Sequence, residues 1–285
     1  MTTYSDEYFT NPDGLKQYYR DYNTAPEGSP TVLCMPGVSR NSRDFSELAE
    51  YLSSRCRVIC VDQRGRGNSE WDPDPDRYRP DVYVADMMAL LAHIDVKEVI
   101  SIGTSLGGLM TMMIAAMHPG ILKAAVINDI GPEIDPVGIA RIAGYLGKGT
   151  PPETWADAVA FVKAGGTAAF PTFTDEDWEW FTHKHYVEEN GTVTVQYDPS
   201  INKNFDKAAT EAPMDLWSVF GLMTSVPTLV LRGELSDILA QKTLDKMART
   251  HPNLTPVLVK DRGHTPQMTE PECLAAIDEL LKKAA

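Results

Sequence analysis

Short apolar runs rich in β-branched residues alternate along the chain with longer segments of helical spacing. The runs are typical of buried strands and lie at 31–37, 56–62, 97–103, 123–130, 226–233 and 255–260. The helical patterns between and beyond them lie at 42–54, 81–95, 106–120, 214–223, 238–250 and 271–283. Strands separated by single helices indicate right-handed βαβ units. We therefore predict an α/β fold whose mostly parallel central sheet is flanked by helices.

This alternation is interrupted over residues 132–212, where only helical patterns are found. Two of these patterns, 152–164 and 175–189, are rich in aromatic residues, and the second follows Thr174, a typical N-cap. Alternating strands and helices resume at 213. The sequence thus predicts a core built from 1–131 and 213–285, with an inserted helical cap at 132–212.

Composition and net charge indicate which kinds of molecule the protein is suited to bind. The 285 residues are 43% hydrophobic, which is enough to bury a large core, and the formal net charge is −14. An acidic surface repels phosphate backbones and anionic lipids, so we expect a small-molecule substrate and neither nucleic acid nor membrane. No apolar stretch approaches the roughly 18 residues that span a bilayer. The N-terminus shows no secretion signal, so we expect a cytoplasmic protein, and a homodimer is compatible with the sequence.

The four cysteines also bear on location and on metal binding. They form no C-x-x-C pair and no Cys/His metal spacing, and Cys34 and Cys60 lie inside apolar runs. We expect these two to be small buried hydrophobic residues in a reducing compartment. The sequence predicts no metal site.

A G-x-S-x-G motif surrounds Ser105, between the strand at 97–103 and the helix at 106–120. The bare motif arises by chance in about one chain in ten of this length, but its place between strand and helix is much rarer. Glycines at 103 and 107 would relieve the clash of so sharp a turn, and the helix N-terminus would offer positive dipole to an oxyanion. We predict that Ser105 is a nucleophile, since the alternative, a structural turn, explains less.

A serine hydroxyl needs a base near neutral pH, and six histidines are present. His264 lies in a short loop after the last core strand, on the same edge of the sheet as Ser105, so we predict it to be the base. The other five lie in helices, at helix ends or in the cap: His93, His118, His183, His185 and His251.

The histidine should be oriented by a carboxylate that follows another strand on that edge. Asp237, in the loop after the strand at 226–233, is the preferred candidate. Asp129, after the strand at 123–130, and Glu234, directly after 226–233, remain alternatives. The oxyanion would be held by two backbone N–H groups, those of Leu106 and Val38, because Val38 lies in the loop after the first core strand.

Five segments together resemble one family. "PGVSRNSRDF", "VDQRGRGNS", "GTSLGG", "RGELSDIL" and "DRGHTPQMTEPE" occur in the order found in cap-bearing members of the α/β-hydrolase superfamily, in the esterase, enol-lactonase and C–C hydrolase branch. The order Ser105, Asp237, His264 is also that family's. Two departures stand out: Pro36-Gly37 replaces the usual His-Gly, and Thr104 stands where relatives often have histidine.

The resemblance implies a cofactor-independent serine hydrolase that cleaves a small to medium apolar carboxylic ester through an acyl-enzyme. Alternatives that use the same residues are an enol-lactonase, a C–C bond hydrolase and a perhydrolase-like enzyme. Epoxide hydrolases and haloalkane dehalogenases are disfavoured, because position 105 would then be Asp. A non-catalytic ligand receptor on the same fold is a further alternative.

The sequence says less about the substrate pocket. Arg40 is close enough to Val38 in sequence to contact a substrate carboxylate or carbonyl. Of the aromatic cap residues, Tyr145 and Trp155 are predicted to line the pocket, whereas most of the others should form the core of the cap. Arg64 and Arg66 lie in a tight glycine turn after a strand, and we interpret both as structural.

Overall fold

The computed structural model describes residues 3–148, 152–203 and 215–284. Its strands, numbered in chain order, are β1 Ser5–Thr10, β2 Lys16–Tyr22, β3 Thr31–Met35, β4 Arg57–Val61, β5 Val99–Thr104, β6 Leu122–Asn128, β7 Tyr186–Glu189, β8 Thr192–Val195, β9 Thr228–Gly233 and β10 Leu254–Val259. Eight of them form one sheet in the order β1–β2–β4–β3–β5–β6–β9–β10. The six predicted strands are confirmed, and they pair in parallel from β4 to β10.

The sheet also has an N-terminal hairpin that the sequence did not predict. Strands β1 and β2 pair with each other, and β2 pairs with β4, in both cases antiparallel. Strand β1 is almost entirely exposed and polar. It lacks the apolar run by which a buried strand is recognised, and this explains why it was missed.

Helices cover both faces of the sheet. They are α1 Ser46–Leu52, α2 Pro80–His93, α3 Leu106–Met117, α4 Pro136–Tyr145, α5 Trp155–Gly166, α6 Asp175–His183, α7 Leu216–Gly221, α8 Gln241–Thr250 and α9 Pro271–Ala284. One apolar layer joins the sheet to α2, α3, α7 and α8, and the other joins it to α1 and α9. The predicted α/β architecture with a flanked, mostly parallel sheet is therefore confirmed.

Residues 132–212, called the insert below, contribute no strand to the eight-stranded sheet in their described part. They contain α4 to α6 and the hairpin β7–β8. Thr174 is confirmed as an N-cap, since its side chain and that of Asp177 form a reciprocal capping box. The helix predicted over 175–189 ends at His183, and residues 186–189 form β7 instead, because they pair with β8 in the hairpin.

Within the described residues, no helix combines the length and the apolar character needed to cross a membrane. Cys34 and Cys60, which face each other on β3 and β4, are fully buried as predicted.

Candidate active site

The loops that matter for chemistry leave the carboxyl ends of parallel strands and meet at one edge of the sheet. They follow β3, β5, β6, β9 and β10. In open parallel sheets this edge is where ligands bind. The structure therefore allows every predicted site residue of the core to be checked for its neighbours.

Ser105 occupies the sharp turn between β5 and α3. Its backbone has φ 51° and ψ −111°, a strained conformation for a residue with a side chain. A Cβ on Gly103 would collide with the backbone of Gly107, and a Cβ on Gly107 would collide with the carbonyl of Met35. The two glycines of the motif are thus required by close backbone approach, as the sequence predicted.

His264 lies between Ser105 and Asp129. Its Nε2 is 3.0 Å from Ser105 Oγ, and its Nδ1 is 2.8 Å from Asp129 Oδ2. The side chain of His264 is 8% exposed and that of Asp129 is fully buried. A carboxylate only accepts hydrogen bonds, so Nδ1 carries the hydrogen and Nε2 presents its lone pair to the serine hydroxyl.

The carboxylate of Asp129 is held by three donors. Besides His264, the Gly233 N–H donates to Oδ1 at 2.9 Å, and the Ser236 hydroxyl donates to Oδ2 at 2.6 Å. Asp129 directly follows β6 and has φ 57°, a left-handed conformation that aspartate tolerates better than most residues. Both extra donors belong to β9 and its loop, so neighbouring strand ends fix this carboxylate together.

The prediction that Asp237 contacts the histidine is wrong. Asp237 accepts two hydrogen bonds from Arg141 of α4, from Nε at 2.5 Å and from Nη2 at 2.8 Å. Burial raises the pKa of Asp237, but hydrogen bonds and nearby positive charge, those of Arg141 foremost, together lower it by more, so the pKa lies below its usual range. Glu234 also lies elsewhere, since it accepts the Asp261 N–H at 3.2 Å.

The predicted oxyanion donors lie beside Ser105. A Cβ placed on Gly37 would be 3.8 Å from Ser105 Cβ, so the loop that carries Val38 passes close to the serine. The Val38 N–H donates no hydrogen bond to the described part of the chain. Leu106 is the first residue of α3, where helical N–H groups have no partner within the helix. Both N–H groups are thus free to act as donors.

Arg66, interpreted from the sequence as structural, supports the Val38 loop, a specific contact that the sequence analysis did not identify. The residue is fully buried, and its Nε donates to the Val38 carbonyl at 2.9 Å. Its Nη1 donates to the Arg64 carbonyl at 2.8 Å and to the Tyr83 hydroxyl at 2.9 Å. The available signal was the position of an arginine in the glycine turn after β4, the neighbour of β3 in the sheet.

Two of the three predicted pocket residues lie near each other. Tyr145, at the end of α4, is 39% exposed. Burial raises its pKa, whereas the positive charges of Arg141 and Arg40 oppose the rise, which places both arginines within electrostatic reach of the phenol. Arg40 itself pairs with Asp44. Of the two, Arg40 is the one that lies beside Ser105, since its Cγ would be 3.3 Å from a Cβ on Gly37.

Trp155 lies apart from this group, within the insert. Its ring stacks on His183 with centroids 3.8 Å apart, and its Nε1–H donates to Glu188 at 3.1 Å. It packs against a small apolar cluster formed by α5 and the β7–β8 hairpin. In the described ranges, no group of three or more His, Cys, Asp or Glu side chains could hold a metal ion.

With this geometry established, the sequence can be compared with known proteins. The sequence profile of the alpha/beta hydrolase fold matches residues 30–271. The chain belongs to the α/β-hydrolase fold family. The resemblance inferred from the five motifs is thereby confirmed, and the chain is a hydrolase of this family.

Individual relatives agree with this assignment. The α/β-hydrolase is 32% identical to a 3-hydroxybutyrate-oligomer hydrolase from Cupriavidus necator, over 93% of this chain and 92% of the relative. It is 26% identical to a 2-(acetamidomethylene)succinate hydrolase from Mesorhizobium japonicum, over 88% and 87% of the two chains. A crystal structure of an α/β hydrolase from Novosphingobium aromaticivorans superimposes with a TM-score of 0.94 at 40% identity, covering 99% of both chains.

Proposed function

We propose that this α/β-hydrolase is a serine esterase in which Ser105 is the nucleophile, His264 the base and Asp129 the acid that orients it. The observation that carries the proposal is the continuous hydrogen-bonded chain from Ser105 Oγ through the imidazole to Asp129. Nucleophile, base and orienting acid lie within hydrogen-bond reach of one another, as acyl transfer requires.

The reaction follows from the positions of these groups. His264 Nε2 takes the proton of Ser105 as Oγ attacks the ester carbonyl, and the N–H groups of Val38 and Leu106 bind the oxyanion. The imidazolium then protonates the leaving alcohol, and water hydrolyses the acyl-enzyme by the same route. In other hydrolases a single oxyanion donor contributes about 2.7–4 kcal/mol, so correct placement of the Val38 loop is essential to turnover.

The insert acts in this proposal as a cap over Ser105. Several contacts join it to the loops of the site. Gly263, next to the base, donates its N–H to the Ala169 carbonyl at 2.6 Å, and Arg141 pairs with Asp237. A cap in this position shapes the pocket and excludes water. The substrate is therefore a small to medium molecule.

The substrate class is supported by a relative. Oligomers of 3-hydroxybutyrate are joined by ester bonds, and the hydrolase named for them is 32% identical to this chain over nearly its whole length. We therefore favour short esters of hydroxy acids as substrates. A second candidate is a substrate of the acetamidomethylenesuccinate type, because the relative named for it covers almost as much of the chain.

The test compares the wild type with Ser105→Ala on p-nitrophenyl esters, the 3-hydroxybutyrate dimer, a lactone and 2-(acetamidomethylene)succinate. We expect turnover of the dimer by the wild type and a loss of at least about 10⁴-fold in the variant. Hydrolysis that survives in the variant would exclude Ser105 as nucleophile. A wild type that binds an apolar ligand but cleaves none of these compounds would favour the receptor alternative.

A further inference from the structure

The backbone of Arg40 lies in the loop next to the nucleophile, Ser105. Its N–H donates to the Gly37 carbonyl at 3.1 Å, which closes a turn of the oxyanion loop. A Cβ placed on Gly37 would be 3.3 Å from Arg40 Cγ and 3.8 Å from Ser105 Cβ, so these two atoms are at most about 7 Å apart. The Arg40 side chain therefore starts beside the nucleophile, on the loop that carries Val38.

The guanidinium of Arg40 is oriented but not saturated. Nε donates to Asp44 Oδ2 at 2.7 Å, and Nη2 donates to the other oxygen of the same carboxylate. Nη1 is buried and has no hydrogen-bond partner in the part of the chain that the structure describes. On the insert side, the ring of Phe181 lies 5.1 Å from the guanidinium carbon. A fixed cation with a free, shielded donor edge is suited to bind an anion.

The charges around Arg40 are locally balanced. Arg141 is a second arginine in this region, and both arginines are within electrostatic reach of the Tyr145 phenol. The chain as a whole carries a formal net charge of −14, and each of these arginines is paired with one carboxylate, Arg40 with Asp44 and Arg141 with Asp237. An anion at Arg40 would therefore be recognised by the unpartnered Nη1 donor and not by an excess of local positive charge.

We propose that Arg40 binds a free carboxylate of the substrate through Nη1, so that the preferred substrates are anionic esters such as 3-acyloxy acids. This inference rests on the proposed esterase function. In a 3-acyloxy acid the carboxylate is two carbons from the ester oxygen, a separation that suits a cation whose Cγ lies within about 7 Å of Ser105 Cβ. Asp44 keeps the guanidinium in place and leaves Nη1 as a buried donor without a partner, which a bound carboxylate would satisfy.

The experiment uses a matched pair of substrates, the 3-hydroxybutyrate dimer as free acid and as its methyl ester. Both present the same internal ester, whose cleavage is followed by its own products, and only the acid presents a carboxylate. We expect the wild type to prefer the acid in kcat/KM. Arg40→Leu should lower kcat/KM for the acid about 30-fold, chiefly through KM, with a much smaller change for the methyl ester. Arg40→Lys should restore part of the preference, since it keeps the charge.

Arg55→Leu is the matched control, because Arg55 also pairs with an aspartate, Asp278, but on the exposed surface. It should leave both substrates unaffected. An equal loss on acid and methyl ester in Arg40→Leu, or a wild type that prefers the methyl ester, would overturn the proposal. A wild type inactive on both substrates, or an active Ser105→Ala, would instead contradict the esterase function.

A binding measurement covers the case in which Arg40→Leu folds poorly. In the Ser105→Ala background, which cannot turn over, calorimetry compares the affinity of the free acid with that of the methyl ester. Tighter binding of the acid, with the difference reduced but not abolished in Ser105→Ala/Arg40→Lys and falling steeply with salt, supports binding of the carboxylate by Arg40. Equal affinities for both compounds would refute it.

Discussion

The loops after β6 and β9 each carry an aspartate at the same edge of the sheet, but the two carboxylates have different partners. Asp129 is fully buried and faces His264, whereas the side chain of Asp237 is 28% exposed and faces Arg141 of the insert. Both loops follow buried parallel strands. Position after a strand therefore does not decide which acid meets the histidine.

What separates them is the set of donors that each backbone provides. The left-handed turn at Asp129 directs its side chain toward β9, where Gly233 and Ser236 donate to it. The β9 loop thus donates hydrogen bonds to the acid, Asp129, and does not itself contain the acid. Asp237 comes four residues after Gly233, and its charge is compensated by an ion pair with Arg141 of α4.

The largest effect should come from exchanging each acid for its amide. Asp129→Asn should lower kcat about 10⁴-fold, because an amide favours the wrong tautomer of the histidine. Asp237→Asn should change kcat by less than about threefold, since Asp237 reaches His264 only through its electric field. Steady-state kinetics on one neutral ester measures both. The reverse ranking would return the role of acid to Asp237.

A second prediction concerns the loop after β4, which supports the site without contacting Ser105. Arg66→Met removes the donor to the Val38 carbonyl, and we expect kcat to fall about 100-fold, a loss similar to that of one oxyanion donor. KM should change little. Tyr83→Phe removes a partner of Arg66 but not this bond, and it should retain most of the activity. Equal losses in both variants would indicate general destabilisation.

A smaller effect is expected at Ser236, the residue of the β9 loop that donates to Asp129. Ser236→Ala leaves one carboxylate oxygen with a single donor, His264, and should lower kcat about tenfold. Ser236 also accepts the N–H groups of Ile238 and Leu239, so thermal unfolding must be compared. Ser236→Thr keeps the hydroxyl and should recover most of the rate. No recovery, at unchanged stability, would remove Ser236 from the support of Asp129.

The smallest effect is the contribution of Asp237 to the pH dependence of the free energy of unfolding. Its pKa is lowered in the folded protein, so its ion pair stabilises the fold above the unfolded pKa of about 3.9 and loses this effect as pH falls through the folded value. The difference in free energy of unfolding between wild type and Asp237→Asn should therefore be constant near pH 6 and shrink below about pH 4. Urea denaturation measures it, and Arg141→Gln should behave alike. A difference in free energy of unfolding that increases as the pH falls would contradict a stabilising Asp237–Arg141 ion pair.

The sequence predicted most of the fold and half of the site's contacts, for identifiable reasons. Six strands were recognised because each is a buried apolar run. Ser105 and His264 were identified because each lies next to such a run. The polar strand β1 had no such signal. Asp129 was ranked below Asp237 because loop position was visible in the sequence, whereas the hydrogen bonds from Gly233 and Ser236 depend on the pairing of β6 with β9.

The contact between Arg66 and Val38 was not predicted from the sequence for a similar reason. The contact joins loops 28 residues apart, after strands that lie side by side in the sheet. Trp155 shows the opposite case: its aromatic character suggested a pocket, but the ring completes a cluster within the insert. Composition identifies which side chains are able to line a site, and only packing decides which of them do.

The most direct test of the account is the rate at which a fluorophosphonate labels the protein, followed by intact mass and peptide mapping. Labelling requires both the serine and a correctly oriented histidine. We predict one adduct on Ser105, formed rapidly in the wild type and in Asp237→Asn, at least about 100-fold more slowly in Asp129→Asn, and not at all in Ser105→Ala. An adduct on another residue, or slow labelling of Asp237→Asn with rapid labelling of Asp129→Asn, would contradict the account.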